Sequence, residues 1–400
     1  MTSARPRAGV LRIRSGDHER VTYVELFFDL VFVFAVTQLS HLLLEQPTPL
    51  GVLHVAMLLS AVWWVWIDTS WVTNWVDPQT VPVRILLFAM MLAGLVLATS
   101  LPLAFETRAH IFVGAYLAMQ LGRPLFMLWA TRRASPGNFL NFQRITAWAV
   151  LSAPLWIAGA ILDGEMRLAA WAAALVLEFS APATGFWTPG LGRSVSGDWD
   201  VEGHHLAERC ALFVIIALGE SILVTGATFG KMEWTAPTIA AAVTAFVGSV
   251  AMWWIYFNMG AEKGTERIAE ADDPGRLARV AYTYVHLLPV AGIIVSAVSD
   301  ELVLAHPTGP ANVETVAAVI GGNALFLLGN LLFKRILFGR PALSHMIGLG
   351  LLALLAPAAV LMSPLALAAA GNLVLIVVAA WETWSLRDAV EAGAEVEVEV

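Results

Sequence analysis

An all-α polytopic integral membrane protein, with about twelve transmembrane helices in two parallel six-helix repeats, is the fold class this sequence predicts. Of 400 residues, 58% are hydrophobic and only 14% charged, with a mean hydropathy of +0.72, where an ordinary soluble domain carries roughly 25% charged residues. The apolar residues fall into runs long enough to cross about 30 Å of hydrocarbon as helices. The basic residues sort to one side of the path those runs trace. The net charge of −8 says less, because much of the acid lies in loops and in Glu391, Glu395, Glu397 and Glu399 near the chain end. The single cysteine, Cys210, excludes intrachain disulfides and any multi-thiolate metal site; it reads as a small buried apolar residue.

Residues 1–20 are a basic segment containing Arg5, Arg7, Arg12, Arg14 and Arg20. The apolar run that follows is long, contains two acids and lacks a small-residue cleavage site, so it reads as an uncleaved first helix and not as a signal peptide. That helix, at about 22–44, carries Glu25 and Asp29 at i and i+4, on one helical face. An acid at the centre of a span costs roughly 2.5–3.5 kcal/mol on insertion scales, so this face must look into protein. Further runs lie at about 50–72, ending in the aromatic WWVWID, at 82–105, and at 110–131, which holds LGRPLF. Runs at 144–162 and 167–187 complete a first half spanning 21–187. A Gly- and Ser-rich linker, 188–205, leads into a second half spanning 206–387. Its runs are at 206–229, 236–258, 277–303, 313–334, 342–362 and 364–386, the last two divided only by Ser363 and Pro364. The mixed-charge loop 259–276 is expected to form a short surface helix. The tail 388–400 alternates acid and valine with no partner strand, and disorder is expected there.

Placing the N-terminus inside leaves only Arg108, Arg167 and Lys231 on the outer side and Arg123 within a span. All other Lys and Arg fall inside, which by the positive-inside rule puts both termini in the cytoplasm of a cell with a plasma (inner) membrane.

Two stretches carry a resemblance. ELFFDLVFVFAVTQLSHLL in the first span and HHLAERCALFVIIALGESIL at His204–Leu223 resemble the bacterial low temperature requirement A family of membrane proteins. The resemblance covers the chain from Arg20 to about Arg387. It implies a polytopic membrane fold; the family is named for a growth phenotype, so no substrate or reaction comes with it. Arg20 through FFDLVFVFAVT is also similar to the Arg-x-x-x-Phe-Ser-Asp first helix of a potassium-channel family made of six-helix repeats. Here the Arg-to-Asp spacing is longer and Phe28 replaces the serine, so no pore residue is transferred.

The halves look related to each other. Glu25 with LFFDLVFVFAVTQLS can be laid on Glu208 with RCALFVIIALGESIL; WWVWID, ending in Asp68, falls on WWIYFN, ending in Asn258; and LGRPLF falls on LGNLLF, pairing Arg123 with Asn330. Both halves would start inside, as parallel repeats do.

Helix direction gives each polar residue a depth at about 1.5 Å per residue. Glu25, Asp29, Asp68 and Arg123 come out at one level, which points to an ion-paired cluster with Arg123 clamped on Asp29 or Asp68, because pairing is how charge becomes tolerable inside a membrane. Glu208, Asn258, His286 and Asn330 form a more weakly charged counterpart in the second half. Glu220 in LGESIL and Glu178 in LVLEFSAP approach the midplane and are the best candidates for a proton or cation site, Glu220 with Ser221 and Thr225 for company. Each could instead simply bond a neighbouring helix. Arg123 between Gly122 and Pro124, and His286 three residues before Pro289, mark places where a helix can kink or open.

His205 and Glu208 form an H-x-x-E pair. Zinc needs three or four ligands, and His204 or Glu25 would have to complete the set, so helix-start capping and pairing with Arg209 are preferred and no metal is expected. The 16 tryptophans read as an interfacial belt or as helix packing. No phosphate-binding G-x-x-x-x-G-K-[ST] loop occurs, no G-x-S-x-G nucleophile elbow, and no lysine placed within a span for a Schiff base, Lys334 being read as a helix-end residue. No cofactor and no nucleic-acid partner is expected; the partners are the lipid bilayer and a small solute or ion. The leading reading is a secondary transporter or ion-conducting protein using buried carboxylates. An intramembrane enzyme acting on lipid or lipid-linked substrates, and a structural membrane protein, are the alternatives; no catalytic residue is assigned.

Overall fold

A computed structural model gives the fold, and the described residues are 9–12, 21–195, 202–258 and 273–391. The greater part of the basic segment 1–20, part of the 188–205 linker, most of the loop 259–276 expected to hold a surface helix, and most of the tail 388–400 lie outside them.

Helices account for nearly everything else. They are α1 (Tyr23–Glu45), α2 (Pro49–Trp75), α3 (Val81–Ser100), α4 (Ala109–Thr131), α5 (Pro136–Ile161), α6 (Gly164–Ala183), α7 (Gly203–Phe229) and α8 (Ala236–Phe257). A short helical turn, Pro274–Ala278, and a π-helical stretch, Arg279–Val285, lead into α9 (Leu287–Ala305), followed by α10 (Val313–Phe338), α11 (Leu343–Ala359) and α12 (Pro364–Glu391). Among the described residues eleven helical segments are long and apolar enough to span a bilayer. The twelfth expected span, at 342–362, is a 17-residue helix, at the short limit for crossing. The ninth departs from expectation too: the π-helical stretch, whose i→i+5 bonds are rare outside single-turn insertions, precedes His286, where the sequence marked a breakable place.

Local signals account for the ends. Proline at N1 or N2 opens α3, α5 and α8, where its missing N–H is not needed. Thr235 and Thr238 form a reciprocal cap at the start of α8, Asn312 caps α10 by accepting from the Thr315 N–H, and Gly339 ends α10 in the left-handed conformation.

The chain divides into two compact units, Met1–Leu39 with Leu53–Arg209 and Asp273–Arg276, and Ser40–Val52 with Cys210–Asp272 and Leu277–Val400. In the first, α4 packs on α3 and α5, and α5 on α6. Leu11 bridges to Val76 and Arg12 donates its backbone N–H to the Trp75 carbonyl, so residues 9–12 are fastened to the end of α2. Trp63, Trp66, Trp156 and Trp171 are wholly buried, which makes them packing residues.

In the second unit, α9 packs along α10, and α12 contacts α8, α9, α10 and α11. The α9–α10 seam is tight: a Cβ on Gly292 would stand 2.5 Å from the Phe326 backbone nitrogen, and one on Gly322 2.6 Å from Ser296 Oγ. Small residues that let backbones meet are how helices gain contact where lipid offers no hydrophobic contrast.

Candidate functional site

Three groups of buried polar side chains stand out. The first contains both acids of α1. Glu25 and Asp29 are fully buried. Arg209, also fully buried, donates from Nη2 to Asp29 Oδ1 at 2.6 Å and places Nη1 3.4 Å from Glu25 Oε1. His205 Nε2 lies 2.8 Å from the same Glu25 oxygen, and Arg12 lies 3.5 Å from it. Trp66 Nε1 donates to Asp29 Oδ1 at 2.7 Å; the Thr22 N–H and hydroxyl donate to Glu25 Oε2, both at 2.8 Å. The Arg209 guanidinium also lies over the Phe28 and Trp66 rings, 5.9 and 5.8 Å from their centroids.

The expected face looking into protein is therefore there, but its partner is not Arg123. Arg209, counted from the sequence among the inner-side charges and as a pairing partner at the His205–Glu208 helix start, holds Asp29 and Glu25 instead. Glu208 accepts from the Val21 N–H at 3.0 Å. With two guanidinium groups beside the Glu25 carboxylate, a metal cation has no place at the His205–Glu25 pair; the charges are already balanced.

The second group runs along α4. Tyr116, Gln120 and Arg123 sit at i, i+4 and i+7, on one helical face over about 10 Å. Arg123 donates to Asp68 Oδ2 at 2.9 Å, to Thr69 Oγ1 at 2.9 Å and to the Val65 carbonyl at 3.0 Å, and to Gln120 Oε1. Gln120 Nε2 donates to the Tyr116 hydroxyl at 3.3 Å. The Tyr116 hydroxyl donates to Glu178 Oε2 at 2.5 Å. Glu178 Oε1 accepts from Ser152 Oγ at 2.7 Å and Trp156 Nε1 at 2.9 Å. Three polar side chains, Tyr116, Gln120 and Arg123, thus join Glu178, 5% exposed, to Asp68, whose side chain is 31% exposed. Asp68 pairs with Arg123, one of the two partners foreseen. Glu178 has three neutral donors and no cation in contact. Ser152 is about 14 Å from the Ile161 end of α5, and Glu178 about 21 Å from the Gly164 end of α6 and about 8 Å from its Ala183 end.

The third group, in the second unit, is more dispersed. Asn258 donates to Thr383 Oγ1 at 3.0 Å, His286 Nε2 lies 2.7 Å from the Tyr256 hydroxyl, and Asn330 donates to the Phe326 carbonyl of its own helix at 2.9 Å. Among the described residues of this unit, no hydrogen bond or ion pair joins Asn258, His286 and Asn330 to one another. Glu220 is 6% exposed and makes no hydrogen bond or ion pair among the described residues, while Ser221 reaches Asp300 at 3.5 Å. Lys334 is not a helix-end residue in its setting: it is 2% exposed, paired with Glu382, and His345 Nδ1 lies 3.2 Å from the same carboxylate oxygen.

Sequence reading passed over Arg209 as the partner of Asp29 and Glu25, His205 as an ion-pair partner, Tyr116, Asp300 and the Lys334–Glu382 pair. A usable signal existed for three of these residues. His205 and Arg209 are four apart, hence on one face, and Lys334 has leucine or phenylalanine at five of the seven surrounding positions in LLFKRILF.

A profile of the bacterial low temperature requirement A protein (LtrA) family matches residues 20–380. The uncharacterized protein RA0937 of Rhizobium meliloti (strain 1021) is 41% identical over 379 residues, 94% of this chain and 92% of that protein. No solved structure matches. With its all-helical fold and membrane-length spans, this chain belongs to the bacterial low temperature requirement A family of multi-pass membrane proteins.

Proposed function

We propose that this protein is a secondary transporter or ion-conducting protein in which Glu178 takes up and releases a proton. One observation carries the reading: Glu178 is a deeply buried carboxyl bound only by the neutral donors Tyr116, Ser152 and Trp156. Buried acids that serve as clamps are ion-paired, as Asp29 is by Arg209. An intramembrane acid with hydroxyl partners and no fixed countercharge can change its proton occupancy without leaving a cation stranded. Asp68 supplies a partly exposed carboxylate at the other end of the chain of side chains, and Arg123 between them holds a fixed positive charge that tunes both. Proteoliposomes with pH- and potassium-sensitive dyes test this. Wild type should dissipate an imposed gradient, and Glu178→Gln, with unchanged elution and melting behaviour, should lose tenfold or more of that flux, about 1.4 kcal/mol or more in barrier. No flux in wild type under any gradient, or an undiminished flux in the variant, would overturn it.

The same reading has N- and C-termini in the cytoplasm and the two six-helix halves, 21–187 and 206–387, as parallel repeats of one ancestral unit. The distribution of Lys and Arg supports the orientation. In a Cys210→Ala background, Gly137→Cys should react with a membrane-impermeant maleimide only after the cells are opened, and Lys231→Cys should react in intact cells. Reversed labelling would invert the topology.

A further inference from the structure

Within the second unit, five helices close around a small polar cavity. Ser221 of α7, Ser296, Ser299 and Asp300 of α9, and Asn323 of α10 line it. Ser249 of α8 and Asn372 of α12 complete the polar wall. The cavity is about 10 Å³, room for the centre of one water-sized particle. The contributing side chains lie within about 8–20 Å of one end of their helices, Ser249 of α8 being the deepest. Counted from the end that carries loops 230–235, 306–312 and 360–363, Asp300 is about 8 Å down, Ser221 and Asn372 about 12 Å and Asn323 about 15 Å. Between the cavity and that end lies an apolar cluster including Ala241, Val303, Leu304, Val319, Ala359 and Leu367.

The polar atoms here are left short of partners by the protein itself. Ser296 Oγ is fully buried with no hydrogen-bond partner. Asn323 is 4% exposed, Ser299 6% and Ser249 7%, and among the described residues their side chains make no hydrogen bond. Asp300 accepts only the 3.5 Å contact from Ser221, at the outer limit for such a bond. Asn372 spends its amide N–H on the Thr244 carbonyl at 2.8 Å, which leaves its oxygen free. Buried polar atoms in native structures are satisfied in the great majority of cases; here the wholly buried Ser296 Oγ has no partner and shares the cavity with hydroxyl and amide oxygens and a single carboxylate.

We propose that this cavity binds a small monovalent cation of sodium's size, coordinated by the Asp300 carboxylate with serine hydroxyl and asparagine carbonyl oxygens. Hard cations take oxygen ligands of this kind. Asp300 is the one charged residue lining the cavity, so a single positive charge neutralises it, while a divalent ion would leave a net charge buried. The site is separate from Glu178 and takes a different ligand; if the protein is a transporter, the cation is its coupling ion, but binding does not depend on transport.

Binding is read on purified full-length protein in detergent, at constant ionic strength with choline chloride replaced stepwise by NaCl or KCl, by radioactive sodium binding and by melting temperature. Wild type should bind sodium saturably and melt higher as the site fills. Asp300→Asn should weaken binding about 30-fold or more, as loss of a buried charged partner does, and Asn323→Ala should weaken it by a smaller factor. If Asp300→Asn elutes as aggregate, Asn323→Ala and Ser296→Ala carry the test. No saturable binding in wild type, which leaves an ordered water as occupant, or equal binding in all variants, would overturn the proposal. Sodium binding that survives in Glu178→Gln while proton flux is lost would show the two sites to be independent.

Discussion

Arg209→Met should destabilise the protein by about 3–5 kcal/mol, the loss seen when one member of a buried ion pair is removed and its partner is left uncompensated. The effect is large here because the guanidinium serves two fully buried carboxylates, Asp29 at 2.6 Å and Glu25 at 3.4 Å. His205 and Arg12 still face Glu25 in the variant, so the stranded charge is chiefly that of Asp29, whose remaining donor is Trp66. Thermal unfolding of detergent-purified protein measures the loss. Asp29→Asn in the Arg209→Met background should recover part of it, giving a coupling free energy between the two sites. A single variant that melts like wild type would mean that the pair is not ionised in the folded protein.

Lys334→Met should cost a similar amount, about 3–5 kcal/mol, by leaving Glu382 buried with only His345 and the Ser344 hydroxyl, the latter 3.4 Å away. The double variant Lys334→Met, Glu382→Leu is the sharper experiment. Replacing both charges by apolar groups is often neutral or stabilising, and it should regain most of the stability lost by the single change. Recovery in melting temperature would mark the pair as structural; recovery of stability without flux would mark it as part of the conduction machinery.

What the sequence revealed and what it withheld divide along a physical line. Run length and hydropathy are properties of one helix at a time, so α1 to α10 and α12 are readable, and the short α11 is doubtful for the same reason that 17 residues barely cross a bilayer. Position times rise led to the Asp68–Arg123 pair, but it also put Asp29 at the level of Arg123, and Asp29 pairs with Arg209 instead. Azimuth between helices is not readable. Nothing local tells that Asp29 of α1 faces Arg209 of α7 and not Arg123 of α4, or that Tyr116, Ser152 and Trp156, from α4 and α5, converge on one carboxyl of α6. The π-helical stretch before α9 is hidden for another reason: it changes the backbone's hydrogen bonding without changing its apolar composition. Asp300 was invisible because its significance lies in serine and asparagine side chains of four other helices that line the same cavity.

The glycine seam between α9 and α10 sets a mechanical limit. Where Gly292 meets the Phe326 backbone and Gly322 meets Ser296, neither helix can roll or slide without driving a neighbouring side chain into the other's main chain. The two behave as one stiff beam. Asp300, Ser296 and Asn323 ride on that beam with their spacing fixed, so filling and emptying their cavity falls to the helices across from it, α7, α8 and α12, which become the moving jaw.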